Sequence, residues 1–302
     1  MVGFFLKKAD QIMKEQPINQ CPVPNGILLI IGGKEDKGEA PTTKIQKETS
    51  EPLLVLRTFI ELINKENPKI AVVTTASSEG SETFDDYKQA FAKLGVHTLE
   101  HIHHEIREEI LNDDSAERIK EVDAIFLSGG DQLKLTTLYG GTEFLLILKQ
   151  RYINEFLVIG GTSAGAMAMS TPMIYAGNEE VQQIAGEIKI TTGLEFLKDV
   201  CVDTHFIDRS RMVRMAQVIA SNPSCIGIGL EEDTAVIIRN GIEAEVSGSG
   251  VLVLLEGDKI TQSNTVAAGT DGKYAISIRN LSMHLLSKGD TFIIKQNNPP
   301  HI

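Results

Sequence analysis

Phe156-Leu157-Val158-Ile159-Gly160-Gly161-Thr162-Ser163-Ala164-Gly165-Ala166-Met167-Ala168 joins a hydrophobic run, a turn of small residues and a helix-compatible segment. Within it, Gly161 to Gly165 reads G-x-S-x-G in a strand-turn-helix setting, the context a nucleophile elbow requires. Such a turn forces small residues on both sides of Ser163. It also lifts the hydroxyl out of the sheet at a helix N-terminus, where backbone N–H groups can stabilise an anion. A glycine-rich turn that cradles phosphate or only packs tightly shares this outline. The placement between strand and helix favours a nucleophile.

Working outward, three further apolar runs end in glycine or small polar residues: Gly26 to Gly33, Lys69 to Ala76 and Asp123 to Gly130. Runs of this length with no polar alternation read as strands covered on both faces. Helical spacing recurs between them, over Pro52 to Asn67, Phe84 to Leu94 and Ala116 to Val122. Strand-helix alternation predicts an α/β fold, a doubly wound, mostly parallel sheet with helices on both faces. Function then belongs at the carboxyl ends of the strands, where the glycines sit. Ile226 to Ile238 reads as strand, acidic turn, strand. Val251 to Leu255 and Ala275 to Ile278 read as short antiparallel strands after the turn Glu256-Gly257-Asp258. The expected organisation is one domain, with an N-terminal arm or helix over residues 1–25, a catalytic core over 26–240 and an antiparallel β extension over 241–302. Lys34 to Ser50 is polar and aperiodic, and reads as a loop.

The chain has 302 residues, 42% hydrophobic and 23% charged, enough for a sizeable core and too apolar for disorder. Its net charge is -12, it lacks Trp, and 5% of its residues are aromatic. That balance argues against nucleic acid as a partner, since phosphate binding needs clustered Lys and Arg and base stacking needs aromatics. Cys21, Cys201 and Cys225 are widely spaced, with no C-x-x-C, so neither a disulfide framework nor a zinc ribbon is expected and a cytoplasmic location is the simplest. No apolar run is long enough to span a bilayer. The start, Met1 to Lys8, puts its basic residues after its apolar patch and does not read as a signal peptide.

A nucleophilic serine needs a base, and the base an orienting acid. His97, His101, His103 and His104 fall in one polar stretch without convincing ligand spacing, so no metal is expected. His284 and His301 lie late in the chain. His205 closes the short apolar stretch before Phe206 and is followed at once by Asp208-Arg209-Ser210-Arg211-Met212-Val213-Arg214. Three arginines within six residues stand out in so acidic a chain. A solvated helix face would account for them, but their place after the candidate base favours binding of substrate carboxylates. The acid can come from Asn178-Glu179-Glu180, with Asp203 and Asp208 as alternatives nearby. For the oxyanion hole, Ala164 N–H is one donor. A second is expected from Ser128-Gly129-Gly130-Asp131-Gln132, where the glycines allow close backbone approach and Gln132 can hydrogen-bond substrate.

At these residues the chain resembles the cyanophycinases, serine exopeptidases grouped with the α-aspartyl dipeptidases on a fold like that of class I glutamine amidotransferases. The matching blocks are Gly32 to Glu35, Ser128 to Gln132, Gly161 to Ala166, His205 to Arg214, Gly227 to Ala235 and Ser277 to Asp290, in order along the chain. The resemblance implies hydrolysis of cyanophycin, a poly-aspartate carrying arginine on its side chains, to β-Asp-Arg dipeptides. It implies Ser163 as nucleophile, His205 as base and a glutamate as acid, Glu180 first and Glu179 next. Ala164 with Gly130 or Asp131 would hold the oxyanion. Gln132, Asp203, Thr204, Arg209, Arg211 and Arg214 would line the substrate pocket, Thr204 standing where a glutamine is common and Lys134 where arginine is expected. It implies no cofactor, and a homodimer. The rival activities are a dipeptidase for aspartyl or isoaspartyl dipeptides and a catalytically silent protein that binds acidic peptides.

Overall fold

The computed structural model describes residues 22–38, 51–177, 182–265 and 274–295. The four apolar runs form β1 (Ile27–Ile31), β2 (Lys69–Val73), β4 (Ala124–Leu127) and β5 (Val158–Thr162), and β3 (Thr98–Ile102) completes a parallel set in the order β1-β5-β4-β2-β3. Their crossovers contain α1 (Leu54–Ile63), α2 (Gly80–Lys93), α3 (Arg107–Asn112), α4 (Ser115–Arg118), α5 (Gln132–Tyr139) and α6 (Glu143–Asn154). The Ala116 to Val122 pattern divides between α4 and a 3-10 turn at Ile119–Glu121.

Both faces of β1, β2, β4 and β5 are buried, which is why these strands carry no polar alternation, whereas β3 at the edge is polar and only partly covered. In β1, Leu28 and Ile30 enter the core shared with Leu135, Tyr139 and Phe144 of α5 and α6. The intervening Leu29 and Ile31 pack with Leu56, Phe59, Tyr87 and Phe91 of α1 and α2. The period of two sends successive side chains to opposite faces.

Beyond α7 (Ala164–Ala168) the chain lays down β6 (Ser170–Thr171), the paired β7 (Met173–Ala176) and β8 (Lys189–Thr191), β9 (Leu197–Lys198) and β10 (Val200–Asp203). Then follow α8 (Met212–Ser221), β11 (Ile226–Leu230), β12 (Thr234–Arg239), β13 (Glu243–Gly248), β14 (Leu252–Glu256), β15 (Gln262–Ser263), β16 (Ile278–Arg279), β17 (Ser282–Leu286) and β18 (Thr291–Ile293). Here the structure departs from the expected single sheet with a terminal extension. A second sheet, ordered β17-β14-β11-β10-β6-β9, packs beside the first. β12 joins the first sheet antiparallel to β1, followed outward by β13 and β18. The run Ile226 to Ile238 is therefore no hairpin, because β11 and β12 belong to different sheets. The expected boundary at residue 240 does not follow the sheets either, since each contains strands from both sides of it.

Of the sequence expectations, residues 1–21 of the N-terminal arm and 39–50 of the polar loop lie outside the described residues. No helix among the described residues is long and apolar enough to cross a membrane.

Candidate active site

β5 and α7 meet at Ser163, whose backbone sits at φ 49°, ψ -113°. A side chain at positive φ is strained, and such strain persists only where the surroundings enforce it. Here β1 does so. Ser163 N–H donates to the Ile31 carbonyl at 3.1 Å, just past the register pair Ile31 and Thr162. The turn leaves Ser163 Oγ 3.0 Å from His205 Nε2.

His205 follows β10 and is also held at positive φ, 47°. Its N–H donates to the Gly32 carbonyl at 2.9 Å. Gly33, at φ +101°, lies under the imidazole so closely that a Cβ there would collide with the ring. This position needs glycine on both counts. On the far side of the ring, Nδ1 lies 2.7 Å from Glu232 Oε1. A hydroxyl, an imidazole and a carboxylate thus stand in line. The position on Nδ1 that a triad acid takes is filled by Glu232, which neither Glu179 nor Glu180 anticipated. Those two residues lie outside the described residues. The other sequence candidates are engaged elsewhere. Asp203 is fully buried among arginines, and Asp208 hydrogen-bonds Glu232 rather than the imidazole.

The electrostatics suit a base. Burial lowers the His205 pKa from its usual 6.5, Glu232 pulls it up, and Arg209 and Arg211 push it down, with a net lowering. Burial would raise Glu232, but hydrogen bonds from Lys34, His205 and Asp208 outweigh that and hold it below the ordinary glutamate range. Asp208 is raised, first by its hydrogen bond to Glu232, then by burial and the Glu232 charge.

A cavity of about 550 Å³ opens beside Ser163, lined among others by Gly130, Thr204 and the three arginines. Ala164 opens α7, so its N–H has no carbonyl acceptor within the helix. Gly130, at φ +138°, also faces the cavity, and a Cβ there would strike the Ala76 carbonyl. Asp131 does not serve as the second oxyanion donor. Its N–H is committed to Ala76 O at 2.9 Å, and its carboxylate caps α5 through Leu133 N–H at 2.8 Å. Gln132 lines the cavity, with its amide Nε2 donating to Ile174 O at 2.9 Å.

The arginines divide into two roles. Asp203 is fully buried, and its carboxylate accepts from Thr204 N–H at 2.9 Å, from Arg211 Nη1 at 2.9 Å and from Arg214 through both Nε, at 2.6 Å, and Nη2. Asp203 is therefore a bracket for the arginines and not a wall of the cavity. Arg214 is itself buried, and its Nη1 reaches Gly177 O at 3.1 Å. Arg209 is exposed and lines the cavity. Arg214→Leu should accordingly destabilise the protein by about 3 kcal/mol, because it leaves a buried carboxylate short of its main partner. Arg209→Ala should leave stability within about 0.5 kcal/mol and raise KM instead. Urea unfolding and steady-state kinetics on the two variants check this, and equal unfolding midpoints would contradict it.

Two buried polar atoms on the cavity wall, Thr204 Oγ1 and Gln182 Oε1, have no hydrogen-bond partner among the described residues. Gln182 carried no signal in the sequence. It is presented by buried Gln217 of α8, whose Nε2 holds the Gln182 and Ile184 carbonyls. The histidine stretch serves local structure. His101 Nε2 and His103 Nδ1 share Thr74 Oγ1 at 2.8 and 3.0 Å, and buried His104 lies between Tyr139 and Asp113. No group of three or more His, Cys, Asp or Glu among the described residues could hold a metal ion.

A hydroxyl on a strand-to-helix turn, aligned with an imidazole and a carboxylate, is an arrangement that can carry out acyl transfer. Peptidase family S51 matches residues 43–245. The cyanophycinase of Geminocystis herdmanii is 30% identical over 274 residues, covering 90% of this chain and 95% of that one. That of Trichormus variabilis is 29% identical over 269 residues, covering 89% and 86%. The crystal structure of a peptidase from an acI-B1 Actinobacterium superposes with a TM-score of 0.61 at 20% identity, over 90% of this chain and 98% of that one, and shares the fold. The chain belongs to peptidase family S51 and is a peptidase, as the motif blocks indicated.

Proposed function

We propose that this protein is a serine exopeptidase that hydrolyses cyanophycin to β-Asp-Arg dipeptides, with Ser163 as nucleophile, His205 as base and Glu232 as orienting acid. The observation that carries the reading is the line Ser163 Oγ, His205, Glu232, with 3.0 and 2.7 Å between its members, opening on a cavity walled by arginines. Of the residues that line this cavity none is acidic and three are cationic, so it suits a substrate dense in carboxylates. The likeness to cyanophycinases over nine-tenths of the chain supports that substrate over a generic peptide. We take the fold to be of the class I glutamine amidotransferase kind, and the working unit to be a homodimer in the cytoplasm.

In this mechanism Ser163 Oγ attacks the backbone carbonyl carbon of an aspartyl residue while His205 Nε2 takes the hydroxyl proton. The carbonyl oxygen becomes an alkoxide held by the N–H groups of Ala164 and Gly130. Collapse breaks the C–N bond, and His205 returns the proton to the leaving amine. Water then attacks the acyl-enzyme, giving its proton to His205, and Ser163 leaves with that proton. Glu232 holds the imidazole in the tautomer that leaves Nε2 bare and balances the imidazolium when it forms.

His205 must be neutral at Nε2 to start the cycle. Its lowered pKa places the acid limb of kcat/KM below pH 6.5, with activity gained as pH rises through that limb and lost below it. A pH profile measured at constant ionic strength checks this. A limb at or above 6.5 would mean that Glu232 outweighs burial and the arginines. The activity itself is tested by mass spectrometry of products from purified cyanophycin. Release of β-Asp-Arg supports the proposal. Cleavage of free aspartyl dipeptides but not of polymer would replace it with a dipeptidase, and no cleavage of either with a binding protein.

A further inference from the structure

Resting on the triad reading above, we propose that the end of β1, Gly32 to Glu35, is the positioning element of the triad, with Lys34 setting the acid and Glu35 setting the nucleophile's strand. Of these four residues none lines the cavity, yet each meets one of the three triad side chains or a residue next to one. Lys34 Nζ lies 2.9 Å from Glu232 Oε1, the same oxygen that faces His205 Nδ1. The carboxylate oxygen is thus fixed between a cation and the imidazole. Glu35 is buried, and its two carboxylate oxygens take one hydroxyl each, Tyr87 OH on Oε1 and Thr162 Oγ1 on Oε2, both at 2.5 Å. Thr162 immediately precedes Ser163 in the strained turn.

Burying a carboxylate against hydroxyls is costly unless the arrangement does something in return. A hydrophobic residue would have filled the space between α2 and β5 without that cost. Instead, a short rigid linkage runs from Tyr87 on α2 through Glu35 to the residue that sets the direction of Ser163. The backbone of the same segment anchors the other partners. The Gly32 carbonyl takes His205 N–H at 2.9 Å, the Gly33 carbonyl takes Asp233 N–H at 3.0 Å, and Asp233 follows Glu232. Nucleophile, base and acid come from β5, from the loop after β10 and from the crossing between β11 and β12. No two of them are close in sequence, and one segment touches all three surroundings.

The test uses Glu35→Gln, Tyr87→Phe, Lys34→Met and Lys34→Arg in the full chain, with kcat and KM on cyanophycin and the rate of Ser163 labelling by an uncharged serine-directed phosphonate. Labelling of the wild type tests the triad reading itself, and its absence would remove that reading and this one together. Given wild-type labelling, Glu35→Gln and Lys34→Met are each expected to lower kcat and the labelling rate together by about ten- to hundredfold, the scale of a small misplacement at the reacting centre, with KM within about twofold. Lys34→Arg should recover most of the loss. Tyr87→Phe, which removes only the outer hydroxyl, should fall between Glu35→Gln and wild type, and it keeps the test alive if Glu35→Gln does not fold. Folded variants with wild-type kcat would overturn the proposal. So would a rise in KM at unchanged kcat, or a Lys34→Arg variant as slow as Lys34→Met.

Discussion

Ser163→Ala and His205→Ala should each abolish the proposed cyanophycin hydrolysis, and the double variant should be scarcely worse than either single one. That is the expected result, with each substitution costing on the order of 10⁴ to 10⁶ in kcat. The non-additivity follows from the geometry. Oγ and Nε2 are 3.0 Å apart, and in the proposed mechanism they share a single proton transfer, so removing either would leave nothing for the other to do. What would survive is the proposed oxyanion donors, Ala164 and Gly130, which owe their positions to backbone and not to either side chain. Folding should be preserved in Ser163→Ala. The strain at Ser163 resides in φ, and alanine retains the Cβ that causes it, so the variant neither gains nor loses that cost. Hydrolysis assays with thermal unfolding on all three variants decide the matter. Retention of more than a few per cent of activity in Ser163→Ala would sink the assignment, and a strictly multiplicative double variant would show that the two residues do not act as a unit.

Glu232→Gln is expected to lower kcat by on the order of 10³ to 10⁴ while the fold stays intact, as removing the charge behind a triad imidazole does elsewhere. Glutamine fills the same space beside Nδ1 but lacks the negative charge that balances the imidazolium. Its amide can also present N–H to Nδ1 and turn the ring to the tautomer that cannot accept from Ser163. The loss should not be recovered at higher pH. Without the carboxylate the His205 pKa falls further, so the acid limb moves to lower pH and the base is already neutral at pH 7. Glu179→Gln and Glu180→Gln serve as controls and should remain within about twofold of wild type, because Nδ1 of His205 is already engaged by Glu232. If Glu180→Gln is the damaging change and Glu232→Gln is silent, the acid assigned from the geometry is wrong. Lys34 shares Oε1 with the imidazole, so Glu232→Gln also frees that cation, which stood at 2.9 Å. Part of the measured loss will be its repulsion of the imidazolium.

Much of this site is visible in one dimension. The turn at Ser163 is legible because a tight strand-to-helix connection restricts which residues can flank it, and that restriction is local. The strands of the parallel sheet are legible for a similar reason. Burial on both faces removes polar residues from Ile27–Ile31 and Ala124–Leu127, and from Val158–Thr162 up to its last residue, whatever their neighbours are. His205 could be picked from seven histidines because it ends an apolar stretch and begins an arginine cluster. The arginine roles were not legible. Arg211 and Arg214 look alike in sequence, and only the burial of Asp203 shows that Arg214 is occupied by a carboxylate on both Nε and Nη2.

The carboxylate beside His205 was missed for a physical reason that the sequence cannot express. Gly227 to Ala235 was recognised as a block, yet an apolar run, a turn of acids and a second apolar run describe a hairpin as well as a crossing between sheets. Hydrophobicity states that both strands are buried, not in which sheet. Only the packing of β11 beside β10 and of β12 beside β1 makes Glu231 to Asp233 a bridge over the end of β1. That bridge carries Glu232 to the imidazole of a residue 27 positions earlier in the chain. The sequence by itself determined what is enforced by neighbours along the chain: the turn, the strand faces and the serine placed between them. Tertiary structure alone decided which carboxylate meets His205, because that contact is set by how two sheets lie against each other.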